Sequence, residues 1–377
     1  MTSICSRAVL IKSVYKLWCE GDSWEELFSS LSNLPTEFTN PYFAPSASWK
    51  LDIVSFNATL TPEQQEQYRL QFEPYLPFEG PVVLRAPSNT FSCVLHHNKP
   101  EKTIKHIYFG TFIADGQRNT NDRFNLKKRH YIGPTSTCAE LASLMSNQIL
   151  TQNGSLVWDC FVGTGSLLVA ASAHGAFCIG SDIDKRVLRG EKKGKQVGSI
   201  RGNFDQYQMK PPELVRMDLS NLLLRSIPLF DGILCDPPYG IRAGARKTRS
   251  SATDMEIPAD SHSGNTVVYD PDDVIIDLLD TAARLLTLGG RLAYLFPTLS
   301  SVDVNSIPLH PCLRVVANSE DKLTLLLSRR LITMEKIAEY EMEKREMYRE
   351  VTKKSLIEQG ISYNDLMKTV GNLGRSE

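Results

Sequence analysis

From residue 154 onward, short apolar runs alternate with helix-length segments in this 377-residue chain. Strands separated by helices are joined by crossover connections, and such connections build parallel sheets with helices on both faces. The runs that predict strands are 155–161, 177–182, 214–218, 230–235, 291–296, 315–317 and 323–327. The alternation therefore predicts an α/β fold with a doubly wound, seven-stranded, mostly parallel sheet.

The region before this alternation has a different pattern. Residues 50–56 alternate apolar and polar side chains, as a half-buried strand does. Ser23 precedes one helix-forming segment, and Thr61-Pro62 begins another with a capping residue and a first-turn proline. We predict a smaller N-terminal α+β domain over residues 1–112.

Three further segments follow from composition. Residues 113–134 are predicted to be a linker, and residues 135–335 the α/β domain. Thr137 and Glu140 have the spacing of a capping box, which predicts that Thr137 caps the first helix of that domain. Residues 336–377 are highly charged and helix-compatible, so we expect a solvated helical tail.

Composition excludes several classes of protein. The formal net charge is −1, so no overall field favours a polyanionic partner, and nucleic-acid binding must come from local basic segments. The eight cysteines include no C-x-x-C pair, which indicates free thiols in a reducing compartment rather than a zinc site or disulfide framework. The apolar run 8–11 is too short for a signal peptide or membrane span, so we expect a soluble, cytoplasmic protein.

The first strand of the α/β domain is followed by Gly163-Thr164-Gly165. Glycine has no Cβ, so this turn lets the backbone approach a ligand at the carboxyl end of the strand, where open α/β sheets bind their ligands. Leu168 stands where a dinucleotide fingerprint has its third glycine. The turn therefore indicates a nucleotide-like ligand but disfavours NAD.

One aspartate lies at the end of each of the first three strands. Asp182 is placed to accept both ribose hydroxyls, Asp159 to face a cationic amino-acid group, and Asp218 to accept an adenine amine. This acidic set suits S-adenosylmethionine better than a pyrophosphate, which prefers cationic or N–H donors. Each aspartate taken singly is equally compatible with a helix cap or a surface charge.

The fourth strand ends at Asp236-Pro237-Pro238-Tyr239. Two prolines hold the backbone rigid and leave its carbonyls free to accept, while Tyr239 adds a flat face. Asp236 and the Pro237 carbonyl could thus accept the two N–H bonds of an exocyclic amine on a base stacked against Tyr239. The alternative is a strand ended by Pro-Pro, with Asp236 capping a turn.

Two basic segments are candidates for RNA contact. The first, residues 124–131, interleaves aromatic and basic residues. This pattern suits stacked bases and phosphates, although a solvated linker fits its composition equally well. The second is the loop 242–260 after the proline pair, which we expect to be mobile without RNA. The residues assigned to substrate are Lys127, Lys128, Arg129, Tyr131, Arg242, Arg246, Lys247 and Arg249.

Taken together, these motifs resemble the catalytic subunits of eukaryotic tRNA (guanine-N(2))-methyltransferases that act on guanosine 10, a THUMP-containing family. The matching segments cover nearly the whole chain. They are 108–110, 113–118, 126–133, 159–165, 182–184, 236–242 and 328–335. Family members carry further residues before the segment that resembles 4–18, so the resemblance implies an N-terminal region truncated at its start.

The resemblance implies a Rossmann-like methyltransferase domain, S-adenosylmethionine as donor and a THUMP-containing RNA-binding region. It also implies tRNA as substrate and a small zinc-binding activator subunit as heterodimer partner. We assign catalysis to Asp236, Pro237 and Tyr239. The residues assigned to the cofactor are Thr135, Ser136, Thr137, Asp159, Phe161, Gly163, Thr164, Gly165, Asp182, Ile183 and Asp218. Two alternatives remain: an adenine amino-methyltransferase on DNA or RNA, and a non-catalytic RNA-binding paralogue.

Overall fold

A computed structural model describes residues 2–192, 195–222, 224–238, 246–248, 266–362 and 366. The chain divides into two compact units, Met1–Asn119 and Thr120–Glu377. Within the described residues, no helix is long and apolar enough to cross a membrane.

The first unit is an α+β domain built on a four-stranded sheet. Its strands are β1 (Ser13–Gly21), β2 (Trp49–Phe56), β3 (Asn89–His97) and β4 (Ile104–Asp115), and their spatial order is β1-β4-β3-β2. The β2–β3 pair is parallel and the other two pairs are antiparallel. Its helices are α1 (Thr2–Cys5), α2 (Trp24–Ser32), α3 (Thr36–Phe43) and α4 (Pro62–Leu70).

Helix caps in the first unit confirm the sequence signals. Ser23 accepts the N–H of Glu26 at the start of α2. Thr61 and Gln64 form a reciprocal capping box at the start of α4, with Pro62 at its first position. The core centres on Trp18, which makes edge contacts to Phe91 and Phe109 at ring-centroid distances of 5.1 and 5.8 Å.

The second unit contains the predicted seven-stranded sheet. In chain order its strands are β5 (Leu156–Asp159), β6 (Phe177–Asp182), β9 (Glu213–Arg216), β10 (Phe230–Cys235), β13 (Leu286–Leu299), β14 (Leu313–Lys322) and β15 (Leu327–Lys336). Two small hairpins lie outside it: β7 (Glu191–Lys192) with β8 (Lys195–Gln196), and β11 (Arg246–Thr248) with β12 (Thr266–Val268).

The spatial order of the large sheet is β9-β6-β5-β10-β13-β15-β14. The four neighbouring pairs from β9 to β13 are parallel, and the two pairs that involve β15 are antiparallel. The prediction of a mostly parallel sheet is therefore confirmed. The strand order reverses between β5 and β10, which makes their carboxyl ends the switch point where such sheets bind ligands.

The helices that follow α4 are α5 (Asn119–Arg123), α6 (Ala139–Gln148), α7 (Ser166–Ala173), α8 (Lys185–Arg189), α9 (Ile200–Gln206), α10 (Pro271–Leu285) and α11 (Arg345–Glu358). Helices α6, α7 and α9 bury residues in one cluster against the sheet, and α10 and α11 bury residues in the other. Because side chains alternate along a strand, Val157 packs into the cluster with Leu168 of α7, whereas Trp158 packs into the cluster with Leu278 of α10. Each face of the sheet is therefore buried in its own hydrophobic cluster.

Two segments differ from their sequence-based description. Residues 120–134 belong to the second unit rather than forming a free linker, because Phe124 and Tyr131 are buried in its core. The C-terminal helix α11 is packed rather than solvated: Tyr348 and Leu356 are buried in the cluster under the sheet. The charged residues of α11 are exposed, except for Arg345 and Arg349, which donate to the buried carboxylates of Asp280 and Asp277. Composition alone therefore predicted a solvated helix.

The start of α6 also differs from expectation. The helix begins at Ala139 after Cys138, without any side-chain cap, so the capping box predicted for Thr137 and Glu140 is wrong. Glu140 instead accepts the side-chain amide of Asn121 at 3.0 Å. All eight cysteines are free and seven are buried, which confirms the free-thiol prediction; Cys138 is exposed.

Candidate active site

The switch point brings the ends of β5 and β10 together. Gly232 and Ile233 pair in parallel with Val157 and Trp158, so the residues that follow both strands emerge at the same edge of the sheet. Asp159 ends β5, and Asp236 directly follows β10. The sequence assigned these two aspartates to donor and acceptor, and the topology places them at one edge.

The turn after β5 depends on its glycines. Gly163 and Gly165 have φ values of 49° and 81°, a left-handed conformation that residues with a Cβ rarely adopt. A Cβ on Gly165 would lie 2.8 Å from Ile200 Cγ2, whereas a Cβ on Gly163 would meet nothing closer than 3.8 Å. Gly165 is therefore required for packing under the turn, and Gly163 leaves space above it.

Asp182, at the end of β6, is tied to this turn. Its Oδ2 accepts the N–H of Gly163 at 3.2 Å, and its Oδ1 accepts the N–H of Asp184 at 2.9 Å. Burial raises the pKa of Asp182, and these backbone hydrogen bonds oppose the rise. Ile183, next in the chain, is half-buried, and its carbonyl accepts Arg216 Nε at 3.1 Å. The turn and the second strand end thus form one hydrogen-bonded unit.

Asp159 is the most buried acid at the edge, with 1% of its surface exposed. Its Oδ1 accepts the N–H of Phe161 at 3.0 Å. Burial raises the pKa of Asp159 well above its ordinary value, and the negative charges of Asp182 and Asp236 raise it further. A cationic group placed beside Asp159 would lower that pKa and be bound in return.

Asp218 lies beyond β9 and is held by other contacts. Its Oδ1 accepts the N–H and hydroxyl of Ser220 at 2.9 and 2.8 Å, and its Oδ2 accepts the N–H of Thr248 in β11. Burial raises the pKa of Asp218, but these hydrogen bonds outweigh burial and the pKa is lowered. Asp218 therefore anchors the β11–β12 hairpin as well as being a candidate for an adenine contact.

The segment before α6 reaches the glycine turn through hydroxyl groups. Ser136 Oγ lies 2.6 Å from Thr164 Oγ1 and accepts the N–H of Gly133 at 2.9 Å. Thr135 is exposed and Thr137 is buried. Of the three hydroxyl residues assigned to the cofactor, Ser136 is the one with a direct contact to the turn.

The first basic segment divides into exposed and buried members. Lys127 and Lys128 are exposed, but Arg129 and Tyr131 are only 6% exposed each. Arg129 donates to Ser166 Oγ at 2.8 Å and to the Phe124 carbonyl at 3.0 Å. The Tyr131 hydroxyl donates to the Val187 carbonyl at 3.0 Å. Arg129 and Tyr131 thus hold their segment against the domain, and their burial does not favour the predicted RNA contacts.

The sequence reasoning missed Asn203, which joins this segment to the glycine turn. Asn203 is fully buried on α9, and its Oδ1 accepts the N–H of Tyr131 at 2.8 Å. Its Nδ2 donates to the carbonyls of Tyr131 and Thr164 at 2.8 and 3.3 Å. No local signal marks this residue, because its partners lie 72 and 39 positions away.

The acceptor side of the edge follows β10. Asp236 is half-buried and Pro237 is buried; Tyr239, Arg242 and Arg249 lie outside the described residues. In β11, Arg246 is exposed, and Lys247 Nζ lies 3.6 Å from Asp273 Oδ2 and 5.2 Å from the ring centroid of Tyr269. Lys247 is therefore already paired within the protein.

Chemically, the edge combines buried acceptors, an open glycine turn and a rigid proline carbonyl. Carboxylates at Asp159 and Asp182 suit a ligand with a cationic amine and vicinal hydroxyls. A pyrophosphate would be repelled by the negative charge of these carboxylates, so the acceptors at this edge fit S-adenosylmethionine better. Asp236 follows the neighbouring strand at the same edge.

Comparison with known proteins adds independent findings. Residues 1–118 match the family model described as Tmrp11 THUMP N-terminal domain, and residues 127–254 match the model described as RMKL-like, methyltransferase domain. The tRNA (guanine(10)-N(2))-methyltransferase TRMT11 of Mus musculus is 39% identical over 360 residues, which span 90% of this chain and 77% of that protein.

The tRNA (guanine(10)-N(2))-methyltransferase of Schizosaccharomyces pombe is 36% identical over 340 residues, which span 88% of this chain and 70% of that protein. Among solved structures, TrmN from Thermus thermophilus matches 87% of this chain and 84% of that chain, with 17% identity and a TM-score of 0.42.

Proposed function

The chain belongs to the tRNA (guanine(10)-N(2))-methyltransferase family, and from that premise we propose that it transfers a methyl group from S-adenosylmethionine to the N2 amine of guanosine 10 in tRNA. The observation that carries this proposal is the placement of Asp236 at the same sheet edge as the Asp159–Asp182 pair and the glycine turn. Donor and acceptor groups are thus supported by adjacent strands.

The donor side binds through acceptors that are already oriented. Asp182 keeps its carboxylate fixed by the N–H groups of Gly163 and Asp184, and accepts the ribose hydroxyls on its remaining lone pairs. Asp159 receives the cationic amino-acid group. S-adenosylmethionine supplies an electrophilic sulfonium methyl group, so the protein mainly has to align the two reactants, which can lower a barrier by roughly 7–11 kcal/mol.

The acceptor side compensates for a poor nucleophile. The lone pair of an exocyclic amine is delocalised into the base, and acceptance of its two N–H bonds favours a tetrahedral nitrogen. Asp236 and the Pro237 carbonyl supply these two acceptors, and Tyr239 is assigned the stacking role on sequence alone. Asp236 takes a proton late, once the attacked nitrogen has become acidic.

The base must leave the helical stack to reach this edge, and basic groups near the site would hold the phosphates around it. Lys127, Lys128 and Arg246 are exposed and suit this role, and we extend it to Arg242 and Arg249 from their sequence position. We also propose that a small zinc-binding activator subunit completes the enzyme, as the family resemblance implies.

Mass spectrometry of nucleosides tests the function. tRNA lacking modification is incubated with S-adenosylmethionine and the chain, with and without the activator subunit, then digested. We expect N2-methylguanosine with wild-type tRNA and none when guanosine 10 is replaced by adenosine, which locates the modified position. Appearance of N6-methyladenosine instead would favour the adenine enzyme, and no methylation in either arm, with tRNA still bound, would favour a non-catalytic RNA-binding protein.

A further inference from the structure

Tyr269 is a buried tyrosine beside the candidate active site that the function described above does not use. Its side chain is 2% exposed and packs with Val274 and with Phe161, which is two residues beyond Asp159. The Lys247 ammonium of β11 lies over its ring, 5.2 Å from the centroid. One ring therefore contacts both the turn after β5 and the hairpin anchored on Asp218.

The hydroxyl of Tyr269 is held by a carboxylate on α10. It donates to Oδ2 of Asp277 on α10, and Arg349 Nη1 on α11 donates to Oδ1 of the same carboxylate. Asp277 is buried, with 9% of its surface exposed. Burial raises the pKa of Asp277, while the hydrogen bonds from Tyr269 and Arg349 oppose that rise. Each carboxylate oxygen thus has its own charge-assisted or hydroxyl donor.

We propose that Tyr269 is a positioning residue for methyl transfer, held in place by Asp277 and by Arg349 of the C-terminal helix. The inference rests on the function proposed above and adds α11 to the elements that shape the site. Tyr269 acts without touching either reactant, because it sets where Phe161 and β11 lie.

The two residues that contact the Tyr269 ring, Phe161 and Lys247, are each linked to an aspartate assigned to the cofactor. Phe161 donates its N–H to Asp159 at 3.0 Å, so a shift of Phe161 disturbs that carboxylate. Lys247 is followed by Thr248, whose N–H binds Asp218. Loss of the Tyr269 anchor would therefore loosen both acidic groups, and the expected defect is in donor binding more than in the chemical step.

The chain contains a matched pair of residues that serves as the control. Arg345 Nε of α11 donates to Asp280 Oδ2 of α10 at 3.2 Å, and Tyr340 donates to Oδ1 of Asp280. This triad joins the same two helices through the same residue types. Tyr340 differs from Tyr269 in its ring contacts, because it stacks near His310 and contacts Tyr348 instead of Phe161 and Lys247.

The experiment compares Arg349→Ala and Tyr269→Phe with Arg345→Ala and Tyr340→Phe. We expect the first pair to raise KM for S-adenosylmethionine about tenfold, the loss typical of one hydrogen bond to a charged group, and to change kcat by less than about threefold. The second pair should change both constants by less than about twofold. Arg349→Lys should restore most of the affinity.

Hydrogen–deuterium exchange without cofactor supplies a second measurement. Exchange at the amides of Phe161 and Thr248 should accelerate in Arg349→Ala but not in Arg345→Ala, with similar losses of melting temperature in both. Equal effects of the two arginine variants would overturn the inference and leave the proposed function intact. If the wild-type chain transfers no methyl group, the function fails, and the exchange comparison alone decides whether α11 supports the site.

Discussion

Asp182 Oδ2 accepts the N–H of Gly163 at 3.2 Å, which joins the end of β6 to the glycine turn after β5. Together with the N–H of Asp184 on the other oxygen, this bond orients the carboxylate. It also holds the turn in the left-handed conformation that lets a ligand approach the backbone.

Asp182→Ala should weaken binding of S-adenosylhomocysteine about a hundredfold, because two hydrogen bonds to a charged group and the anchor of the turn are lost together. Isothermal titration calorimetry measures the change. Asp184→Ala is the control, since that side chain caps α8 and pairs with Arg186. Comparable losses in both variants would show that the effect is a general disturbance of the strand end.

Asp236→Asn should lower kcat by a factor of about 10² or more, because the amide can no longer take the proton of the attacked amine. Affinity for S-adenosylhomocysteine should stay within about threefold of wild type, since the donor is held by β5 and β6. Asp231→Asn, at the other end of β10, keeps an oxygen to accept the N–H of Leu156 and serves as the control. Turnover near wild type in Asp236→Asn would exclude the proposed role.

Asp159 should make the protein less stable as pH rises. The pKa of Asp159 in the folded chain is raised, chiefly by burial. Its contribution to stability is therefore full below the pKa of the unfolded chain, and it is lost as pH rises from there through the raised pKa of the folded chain. Asp159→Asn keeps an acceptor for Phe161 and removes this loss. Its melting temperature at pH 7 should exceed that of wild type, by about 2–4 °C for each kcal/mol recovered.

Donor binding should show the opposite dependence on Asp159. The Asn variant loses affinity for S-adenosylhomocysteine, and wild-type affinity should fall as pH decreases through the raised pKa, because the neutral carboxyl no longer attracts a cation. Melting curves of both proteins from pH 7 down to about pH 4 complete the test. A variant less stable than wild type at pH 7 would contradict the burial argument.

The neighbouring basic residues Lys127, Lys128 and Arg129 should separate into two functional classes. Lys127→Gln with Lys128→Gln should weaken tRNA binding and reduce the salt slope by up to about 1–2, with no change in melting temperature. Arg129→Gln should destabilise the protein by about 1–3 kcal/mol, because Ser166 and the Phe124 carbonyl lose a buried charged donor.

Filter binding at several salt concentrations, with thermal melting, distinguishes these classes. A salt-slope change in Arg129→Gln at unchanged stability would return that residue to the RNA-binding set. Unchanged affinity in the double lysine variant would remove 127–128 from it.

Most of the sheet was predictable because its signals are local. The sheet strands from β5 to β13 each overlap a predicted apolar run, and topology then places Asp159 and Asp236 at one edge. The last predicted strand, 323–327, is wrong, because the strand there is β15 (Leu327–Lys336), whose charged residues hide it from an apolar pattern. The caps at Ser23 and Thr61 were predictable for the same reason, since each partner lies three residues away.

The parts that escaped prediction depend on distant partners. In the sequence, Arg129 resembles an RNA contact. In the structure its guanidinium donates to Ser166, which lies 37 residues later in the chain. The charged helix α11 looks solvated until Asp277 is placed beside Arg349, 72 residues away. Burial of a charge is decided by such pairings, which neither composition nor periodicity records.

The distribution of thiols has a practical consequence. Cys138 is the exposed cysteine among eight, and the other seven are buried. It lies two residues after Ser136, whose hydroxyl is 2.6 Å from Thr164 at the glycine turn. A maleimide fluorophore should therefore label the native chain at one position, next to the donor pocket, and report ligand occupancy without any engineered cysteine.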